Sequence, residues 1–416
     1  MKRIREDKLS SPLPTREGLG ESLLPPGFME LMRSHLGEEQ AEVLFEGLRQ
    51  PATVSVRFNP RKTAHLKLSP ELNDPVPWCP DAYYLDGHKA FTFDPLFHAG
   101  AYYVQDASSM YLAEVIRKWL RGKPLVALDL CAAPGGKSTL LASHLPEGSM
   151  LISNEPIRKR AQVLAENMQK WGFPGSIVTQ NYPDEFGHFH STFDLILTDV
   201  PCSGEGMFRK DAVTVQEWSM DNVHRCAQRQ RDILRAIVPT LKAGGLLVYS
   251  TCTFNRFEDE EQVEWLQSEY GLTLLEERHF FPGRDRGEGL YIAALRLPTE
   301  SAEETAHTEK EVLRKLKTLN VIANVSDYNS QFSAANAQLE LSYDDAVRYL
   351  RREALHISAP RGLMAVTYQG LPLGLGKSVG TRLNNLYPAE WRIRTTYNPS
   401  EPLPCIFLPK ALGPPQ

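Results

Sequence analysis

Residues 125–145 read LVALDLCAAPGGKSTLLASHL. The first six residues form an almost continuous apolar run, as expected of a strand buried on both faces of a parallel sheet, and the last nine are typical of a helix. Gly135 and Gly136 lie between the two, where glycine lets the backbone turn sharply and approach a ligand closely. The order strand, glycine turn, helix predicts the ligand-binding first unit of an α/β fold.

The residues that follow keep the same alternation. The runs SMLISNE (149–155), DLILTDV (194–200) and GLLVYSTC (245–252) are apolar enough for buried strands, and helical patterns separate them. Strands alternating with helices specify a parallel sheet covered on both faces. The last two apolar runs, LTLLEE and LYIAALRL, allow an antiparallel edge strand.

A chain of 416 residues is long for a single core, so we expect two or three domains. Helical spacing in residues 25–50 and the alternating TVSVRF predict a small N-terminal α+β domain. A polar, acidic stretch after residue 297 predicts a linker, and glycine turns beyond it predict a compact C-terminal β-barrel. The predicted boundaries are 1–20 for a flexible arm, 21–103 for the N-terminal domain, 104–297 for the central domain, 298–312 for the linker and 313–416 for the C-terminal domain.

Composition and charge exclude several classes of protein. No apolar run reaches the roughly 18 residues of a transmembrane helix, and the basic start lacks the apolar stretch of a secretory signal. The six cysteines are scattered without a CxxC pair, which predicts free thiols, a reducing cytoplasm and no metal site. The net charge is −5, yet residues 346–416 carry nine basic and three acidic side chains. Such a segment suits a phosphate backbone, although charge runs are more often solvated faces.

The glycine turn admits two ligand classes. Gly136, Lys137 and a serine match the end of the phosphate-binding GxxxxGK[ST] loop, but Cys131 occupies the position of its first glycine, which disfavours a P-loop ATPase. Glu155 closes the next strand 20 positions after Gly135, where an acid accepts hydrogen bonds from a ribose diol. A ribose-binding acid without the dinucleotide motif GxGxxG predicts an adenosine ligand that lacks a pyrophosphate, and S-adenosylmethionine fits.

Two cysteines follow strand ends, Cys202 after DVP and Cys252 after YST. A cysteine in a strand is more often a small hydrophobe than a nucleophile, but two at neighbouring carboxyl ends of a parallel sheet favour chemistry. A thiolate that adds to carbon 6 of cytosine makes carbon 5 electron-rich enough to take a methyl group, and a second thiol can assist product release. Asp199 is predicted to bind the amino edge or N3 of the base and Lys137 to add positive charge; a strand-end cap and a solvated helix start are the simpler alternatives.

Three segments carry a family resemblance. DLCAAPGGKSTLLA, TDVPCSGEGMFRKD and YSTCTFNRFEDEEQV resemble the signature motifs of the Fmu/Sun-type RNA 5-methylcytosine methyltransferases. GEGLYIAALR and PLGLGKSVGTRLNNLYP are similar to the RsmF-like bacterial rRNA branch. The resemblance implies a class I methyltransferase fold, Rossmann-like with a mostly parallel seven-stranded sheet, flanked by an RRM-like N-terminal and a PUA-like C-terminal domain.

The resemblance also implies roles for individual residues. Cys252 would be the nucleophile and Cys202 would help to release the product, with Asp199 and Lys137 completing the catalytic set. The adenine-contacting position falls at Asn181, where many members carry aspartate. The predicted cofactor-binding residues are Cys131, Ala132, Ala133, Pro134, Gly135, Gly136, Lys137, Glu155, Arg160, Asn181 and Asp199.

The expected partner is RNA, with rRNA of the small subunit, free or within a ribosomal subunit, as the substrate of a monomeric, cytoplasmic enzyme that binds no membrane. A tRNA substrate and an inactive RNA-binding assembly factor remain alternatives. The target cytosine must flip out, because carbon 6 is shielded in a stacked base. Phosphates near that base are predicted to bind Arg209, Lys210, Arg284 and Arg286, and the C-terminal domain is predicted to use Arg348, Arg351, Arg352, Arg361, Lys377, Arg382, Arg392 and Arg394.

Overall fold

The computed structural model of the protein describes residues 24–25, 27–87, 90–120, 122–299, 309–335, 337–397 and 406–407. The arm predicted for residues 1–20 and most of the predicted linker lie outside these ranges. No helix in the described ranges is long and apolar enough to cross a membrane.

The N-terminal part has the mixed helix and strand content that its sequence predicts. Two helices, α1 (Phe28–Leu36) and α2 (Glu38–Arg49), precede an antiparallel sheet in which β1 (Val54–Phe58) lies between β2 (Ala82–Leu85) and β3 (Tyr102–Val104). The short helices α3 (Pro60–Thr63) and α4 (Pro95–His98) connect these strands.

A large mixed sheet forms the centre of the molecule. Its parallel strands lie in the order β6-β5-β4-β7-β8, and two antiparallel strands, β10 and then β9, extend it beyond β8. The strand order reverses between β4 and β7, and ligands of open α/β sheets bind at the carboxyl ends beside such a reversal. The strands are β4 (Val126–Asp129), β5 (Met150–Asn154), β6 (Ser176–Thr179), β7 (Phe193–Asp199), β8 (Leu241–Thr251), β9 (Thr273–Phe280) and β10 (Leu290–Arg296).

Helices cover both faces of this sheet. Successive strand residues such as Ala127 and Leu128 belong to different apolar clusters, because neighbouring side chains of a strand point to opposite faces. One face packs against α5 (Leu112–Trp119), α6 (Gly136–His144) and α7 (Arg158–Trp171), and the other against α9 (Met220–Ile237) and α10 (Glu260–Tyr270). The short helix α8 (Ala212–Glu217) follows the loop after β7.

The central sheet has one strand more than the seven predicted. Residues predicted to belong to the C-terminal domain supply β11 (Val321–Asn324), which pairs antiparallel with β6 at the sheet edge. The preceding helix α11 (Glu309–Leu316) buries Val312 and Leu316 in the same cluster as α9. The chain thus continues along the central sheet to about residue 324, beyond the boundary predicted at residue 313.

After α12 (Val325–Ser333), the C-terminal part forms a four-stranded sheet with one helix. Its strands β12 (Ala337–Glu340), β13 (Gly362–Tyr368), β14 (Leu371–Ser378) and β15 (Leu383–Asn385) lie in that order, and α13 (Tyr343–Leu350) joins the first two. Gly370, with φ +79°, makes the tight turn between β13 and β14 that the sequence predicts.

The flanking parts share cores with each other and with the central domain. Val56 and Tyr102 of the N-terminal sheet lie in one apolar cluster with Tyr349 and Tyr387 of the C-terminal part. Helices α1 and α2 instead pack against the loops that follow β7 and β8, where Phe28 contacts the ring of Phe208 at 5.1 Å. The predicted domains are thus segments of one continuous packing arrangement.

Candidate active site

The glycine turn after β4 has the geometry that its sequence predicts. Gly135 has a φ of +116°, which disfavours any other residue, and α6 begins at Gly136. Two side chains of α7 bind the carbonyl groups of this turn. Arg160 donates to the carbonyl of Ala133 at 3.2 Å, and Asn167 donates to the carbonyl of Pro134 at 2.8 Å. The predicted cofactor residues 131–137 therefore form one continuous segment at the carboxyl end of the sheet, in which Pro134 is exposed and the other six residues are buried or half-buried.

Two buried carboxyl groups flank this turn. Asp129, at the end of β4, accepts a hydrogen bond from Ser138 at 2.6 Å through Oδ2, while its Oδ1 has no partner among the described residues. Burial raises the pKa of Asp129 to about 7. Glu155, at the end of β5, accepts from the backbone N–H of Ile157 at 3.0 Å and lies 3.3 Å from Arg160. An acceptor oxygen left unpaired inside the protein is a site for a ligand donor, so these acids fit a cofactor that carries hydroxyl groups and a cation.

Cys131 and Asn181 occupy more constrained positions than the sequence indicates. Burial raises the pKa of the Cys131 thiol, so it is neutral. Asn181 donates to Glu185 at 2.8 Å and accepts from the backbone N–H of Asn320 at 3.0 Å. Its side chain thus joins the residue before β11 to the cofactor side of the sheet, and only its remaining N–H and lone pair could contact an adenine.

The two predicted catalytic cysteines lie side by side. Cys202 follows β7 and Cys252 follows β8, and their sulfur atoms are 3.2 Å apart. Both thiols are free and half-buried. The hydrogen bond with Cys252, together with burial, raises the pKa of Cys202 well above its ordinary value, so Cys202 holds its proton.

Lys137 connects the cofactor turn to the cysteines. Its ammonium group lies 2.8 Å from Oδ2 of Asp199, whose Oδ1 accepts from Ser250 at 2.8 Å. Burial lowers the pKa of Lys137, but the charge of Asp199 and its hydrogen bond outweigh burial and leave the pKa above its ordinary value. Cys252 also acts on this lysine electrostatically, which places a fixed positive charge near that sulfur. The alternatives of a solvated lysine and a simple strand cap do not describe this ion pair.

Two buried glutamates that sequence reasoning missed fix the loops that carry the cysteines. Glu258 accepts from the backbone N–H of Ser203 at 3.0 Å and from Gln230 at 2.8 Å. Glu205 accepts from the backbone N–H of Phe254 at 2.7 Å. Glu258 follows Cys252 in the chain and binds the loop of Cys202. Glu205 follows Cys202 and binds the loop of Cys252. Their only signal was an acid within six residues of each cysteine, as in CSGEG and CTFNRFE.

The arginines predicted to bind phosphates near the active site have structural partners. Arg209 is the clearest case, because its side chain is only 6% exposed, pairs with Glu288 at 2.8 Å and donates to the carbonyl of Gly47. Arg286 pairs with Asp74 at 2.7 Å. The prediction for Arg209 is wrong, since a guanidinium that is enclosed and paired offers no face to a phosphate. Arg284 is paired with Asp285, but about half of its side chain is exposed. Lys210 keeps 35% of its side chain exposed at 3.8 Å from Glu288.

Most of the predicted C-terminal cations lie on the surface. Arg348 pairs with Asp345 and Glu353, and Arg351 is half-buried and donates to the carbonyl of Tyr397. The exposed residues are Arg352, Arg361, Lys377, Arg382, Arg392 and Arg394.

Three family models match the chain. The model of the 16S rRNA methyltransferases RsmB/F matches residues 123–296, that of the N-terminal domain of the 16S rRNA methyltransferase RsmF matches 24–107, and that of the methyltransferase RsmF PUA domain matches 336–393. Together the three matches take in most of the chain, and each falls on one of the parts described above.

Curated relatives and solved structures agree with these matches. Ribosomal RNA small subunit methyltransferase F of Klebsiella pneumoniae is 29% identical over 76% of this chain and 84% of its own length. The protein of that name from Pectobacterium atrosepticum is 32% identical over 66% of this chain, which spans 62% of that relative. NSun6 from Pyrococcus horikoshii, solved with SFG, and a methyltransferase homolog protein from the same organism both have a TM-score of 0.56, cover 67% of this chain and 99% of their own, and are 20% and 24% identical.

Those two structures share the fold, which confirms the class I methyltransferase architecture predicted from the sequence. The three matched models account for the flanking parts as well, including the PUA-like C-terminal domain. The chain belongs to the RsmF-like family of S-adenosylmethionine-dependent rRNA methyltransferases.

Proposed function

We propose that this enzyme methylates carbon 5 of a cytosine in small-subunit rRNA, through a covalent bond between Cys252 and carbon 6 of the base. The observation that carries the proposal is the 3.2 Å distance between the sulfur atoms of Cys202 and Cys252, beside the Lys137–Asp199 ion pair. Methyl transfer to a nitrogen or an oxygen of RNA needs no pair of thiols. Methyl transfer to an unreactive pyrimidine carbon needs one sulfur to activate the base and gains from a second group that helps to release it.

Each side chain then has a defined task. Cys252 attacks carbon 6 as a thiolate after losing its proton to solvent, and the ammonium group of Lys137 stabilises that negative charge. Asp199, which pairs with Lys137 and accepts from Ser250, keeps a lone pair on each oxygen to accept from the exocyclic amino group of cytosine. The turn at 131–137, with Asp129, Glu155 and Arg160, would hold S-adenosylmethionine, which would supply the methyl group.

Product release requires two proton movements. The carbon 5 proton must leave, and the bond between Cys252 and carbon 6 must break. Cys202 enters this step protonated, and it can pass its proton to the departing sulfur of Cys252 across the 3.2 Å gap. The resulting thiolate of Cys202 takes the carbon 5 proton in the same step, and the electrons of that C–H bond form the C5=C6 double bond as the bond between Cys252 and carbon 6 breaks, so the two thiols end the cycle as they began it.

The flanking domains serve RNA binding in this proposal. The exposed cations of the C-terminal part, Arg352, Arg361, Lys377 and Arg382 among them, suit a phosphate backbone. We assign the same role to an RRM-like N-terminal domain, of which the described residues form three antiparallel strands. The proposed enzyme acts in the cytoplasm as a monomer.

The test uses the purified protein, small-subunit rRNA and methyl-labelled S-adenosylmethionine. We expect Cys252→Ser to abolish methyl transfer while cofactor affinity stays within a few-fold. We expect Cys202→Ala to accumulate an RNA–protein adduct that survives a denaturing gel, and Cys226→Ala, a thiol on α9, to behave as the wild type.

The same experiment separates the alternatives. If the methyl label appears on tRNA and not on rRNA, the substrate is tRNA. RNA binding without any methyl-labelled product would indicate an assembly factor. Normal turnover by Cys202→Ala together with an active Cys252→Ala variant would refute the assigned roles. Bisulfite sequencing of rRNA from a deletion strain and its parent then identifies the nucleotide.

A further inference from the structure

The two cysteines of the active site lie close enough to bond to each other. The sulfur atoms of Cys202 and Cys252 are 3.2 Å apart, and a disulfide bond is about 2.0 Å long, so closure needs an approach of only about 1.2 Å. Both thiols are free and half-buried, so a small oxidant has access to them. The methyl transfer proposed above uses each thiol singly and never joins them.

The backbone that carries the pair has the spacing that a disulfide requires. Strands β7 and β8 are parallel neighbours with Asp199 opposite Ser250, and the N–H of Val200 donates to the carbonyl of Ser250 at 3.1 Å. Neighbouring strands lie about 4.8 Å apart, within the range of about 4.4–6.8 Å between the α-carbons of a disulfide. Cys202 and Cys252 closely follow these paired ends. We therefore expect the bond to form with little movement of either chain.

The loops after these two strands are tied to each other. The N–H of Gly206 donates to the carbonyl of Cys252 at 2.8 Å. On the other side of the pair, Glu258 accepts from the backbone N–H of Ser203, the residue after Cys202, at 3.0 Å. These contacts hold the two thiols within reach of each other, so that a sulfur oxidised on one loop meets the thiol of the other.

The two thiols differ in the way that an oxidation site requires. A thiolate is the form that attacks a peroxide, and a cation near the sulfur favours it. The ammonium group of Lys137 interacts electrostatically with Cys252 and is held by Asp199 at 2.8 Å. Cys202 keeps its proton, because its hydrogen bond with Cys252, together with burial, raises its pKa. Cys252 is thus the sulfur that reacts first, and Cys202 is the thiol that resolves it.

We propose that Cys202 and Cys252 form a site of oxidative modification, which hydrogen peroxide or an organic hydroperoxide closes to a disulfide that reversibly stops methyl transfer. Because reducing conditions keep thiols free, the disulfide forms when the concentration of peroxide rises and opens again when a thiol reductant attacks it. The formation of the disulfide does not depend on the proposed function, but the loss of methyl transfer rests on it.

The reaction has two steps. The thiolate of Cys252 attacks one oxygen of hydrogen peroxide, the O–O bond breaks, and hydroxide leaves and takes a proton from solvent, which gives a sulfenic acid and water. The sulfur of Cys202 then attacks the sulfur of the sulfenic acid. The S–S bond forms, the S–O bond breaks, and the departing hydroxide takes the proton of Cys202 and leaves as a second water. The two thiols lose two electrons, and the peroxide gains them.

Closure to a disulfide also protects the nucleophile. A sulfenic acid without a neighbouring thiol is oxidised further to sulfinic and sulfonic acids, which ordinary thiol reductants do not reverse. With Cys202 at 3.2 Å, the sulfenic acid of Cys252 is captured before that happens. The second thiol therefore makes the oxidation of the first one reversible.

The experiment treats the reduced, full-length protein with hydrogen peroxide and follows free thiols, intact mass and methyl transfer. We expect the loss of two thiols, a mass lower by about 2 Da for the two hydrogens removed, and a peptide that links Cys202 to Cys252. Methyl transfer should fall in parallel with closure and return after treatment with dithiothreitol. Cys226→Ala, which removes another half-buried thiol, should close and reopen as the wild type does.

Cys202→Ala tests the resolving thiol by mass rather than by activity. Cys252 in this variant should accumulate sulfinic and sulfonic acids that dithiothreitol does not reverse. Binding of S-adenosylmethionine to each variant before oxidation checks its fold. A linked peptide that forms and reopens in the wild type and in Cys226→Ala, but not in Cys202→Ala, supports the site.

Two other outcomes would count against the inference, and they differ in what else they affect. If the wild type and Cys202→Ala gain the same sulfinic acid with no linked peptide, the oxidation site is refuted and the proposed function is untouched. If the disulfide forms while methyl transfer continues, the reversible inactivation is refuted together with the role of Cys252 in the proposed function.

Discussion

Replacing Arg57 with methionine should destabilise the protein and weaken its hold on the cofactor. Arg57 lies on β1 and is fully buried. Its guanidinium donates to Gln105 at 2.9 Å, to Thr139 at 2.6 Å and to the carbonyl of Gly136 at 3.2 Å. It also stacks over the ring of Trp171 at 4.6 Å. One side chain of the N-terminal sheet thus supports the helix that begins at the cofactor turn.

The magnitude follows from the contacts that methionine cannot replace. The side-chain oxygen of Gln105 loses its donor and stays buried, which costs about 1–3 kcal/mol. The cation–π contact with Trp171 is worth about 2 kcal/mol in a desolvated site. The carbonyl of Gly136 keeps a donor, since Thr139 also bonds to it at 3.0 Å. Methionine avoids the desolvation of a guanidinium, which offsets part of the loss, so we expect a net destabilisation of about 3 kcal/mol.

Thermal unfolding and calorimetric titration with S-adenosylmethionine measure the two effects. A loss of about 3 kcal/mol should lower Tm by about 3–4 °C in a protein of this size, and cofactor affinity should fall several-fold because the start of α6 loses its support. The matched control is Arg61→Met, since Arg61 is exposed and stacks on Phe173 at 4.8 Å. That variant should change stability by about 1 kcal/mol or less. Equal Tm values and equal cofactor affinities for the two variants would refute the role of Arg57.

Three more predictions concern burial elsewhere in the chain. Burial raises the pKa of Asp94 to about 7, so the folded protein binds this proton more tightly than the unfolded chain does. The wild type should therefore lose stability relative to Asp94→Asn as the pH rises from about 4 to 7. Urea unfolding across that pH range measures the difference. Arg209→Met should lower Tm, whereas Lys210→Met should spare Tm and reduce the salt dependence of RNA binding by about one phosphate contact. Leu316→Ala on α11 should lower the free energy of unfolding by about 2–5 kcal/mol. Leu313, on the same helix, is 40% exposed, so Leu313→Ala should lower it by about 0.5 kcal/mol or less. Similar losses for the two variants, measured by calorimetry, would contradict the packing of α11 on the central sheet.

The sequence predicts the central sheet and the cysteine pair because their signals are local. Each buried parallel strand is a short apolar run, and the carboxyl ends of neighbouring strands converge by geometry alone. Cys202 and Cys252 follow the ends of β7 and β8, so their proximity follows once the strand order is known. Lys137 and Asp199 meet for the same reason, since one begins the helix after β4 and the other ends β7, the next strand in the sheet.

The features that the sequence does not reveal depend on contacts between distant residues. Strand β11 has four residues, too few for a periodic pattern, and its partner β6 lies more than 140 positions earlier. Arg209 follows a predicted catalytic cysteine in the sequence, as an RNA-binding arginine could, but it pairs with Glu288, which lies 79 positions later in the chain. The side-chain oxygen of Asn181 accepts from the backbone N–H of Asn320, 139 positions later in the chain, which leaves it one lone pair for a ligand. No single-sequence pattern encodes these pairings.

The cofactor site consequently depends on all three parts of the chain. Arg57 supports the start of α6 from the N-terminal sheet, and Asn320 binds Asn181 from the segment that leads into the C-terminal domain. These two flanking parts also share one apolar core, in which Val56 and Tyr387 are fully buried. A displacement of either part would disturb that shared core and, through Arg57 or Asn320, one side of the cofactor site.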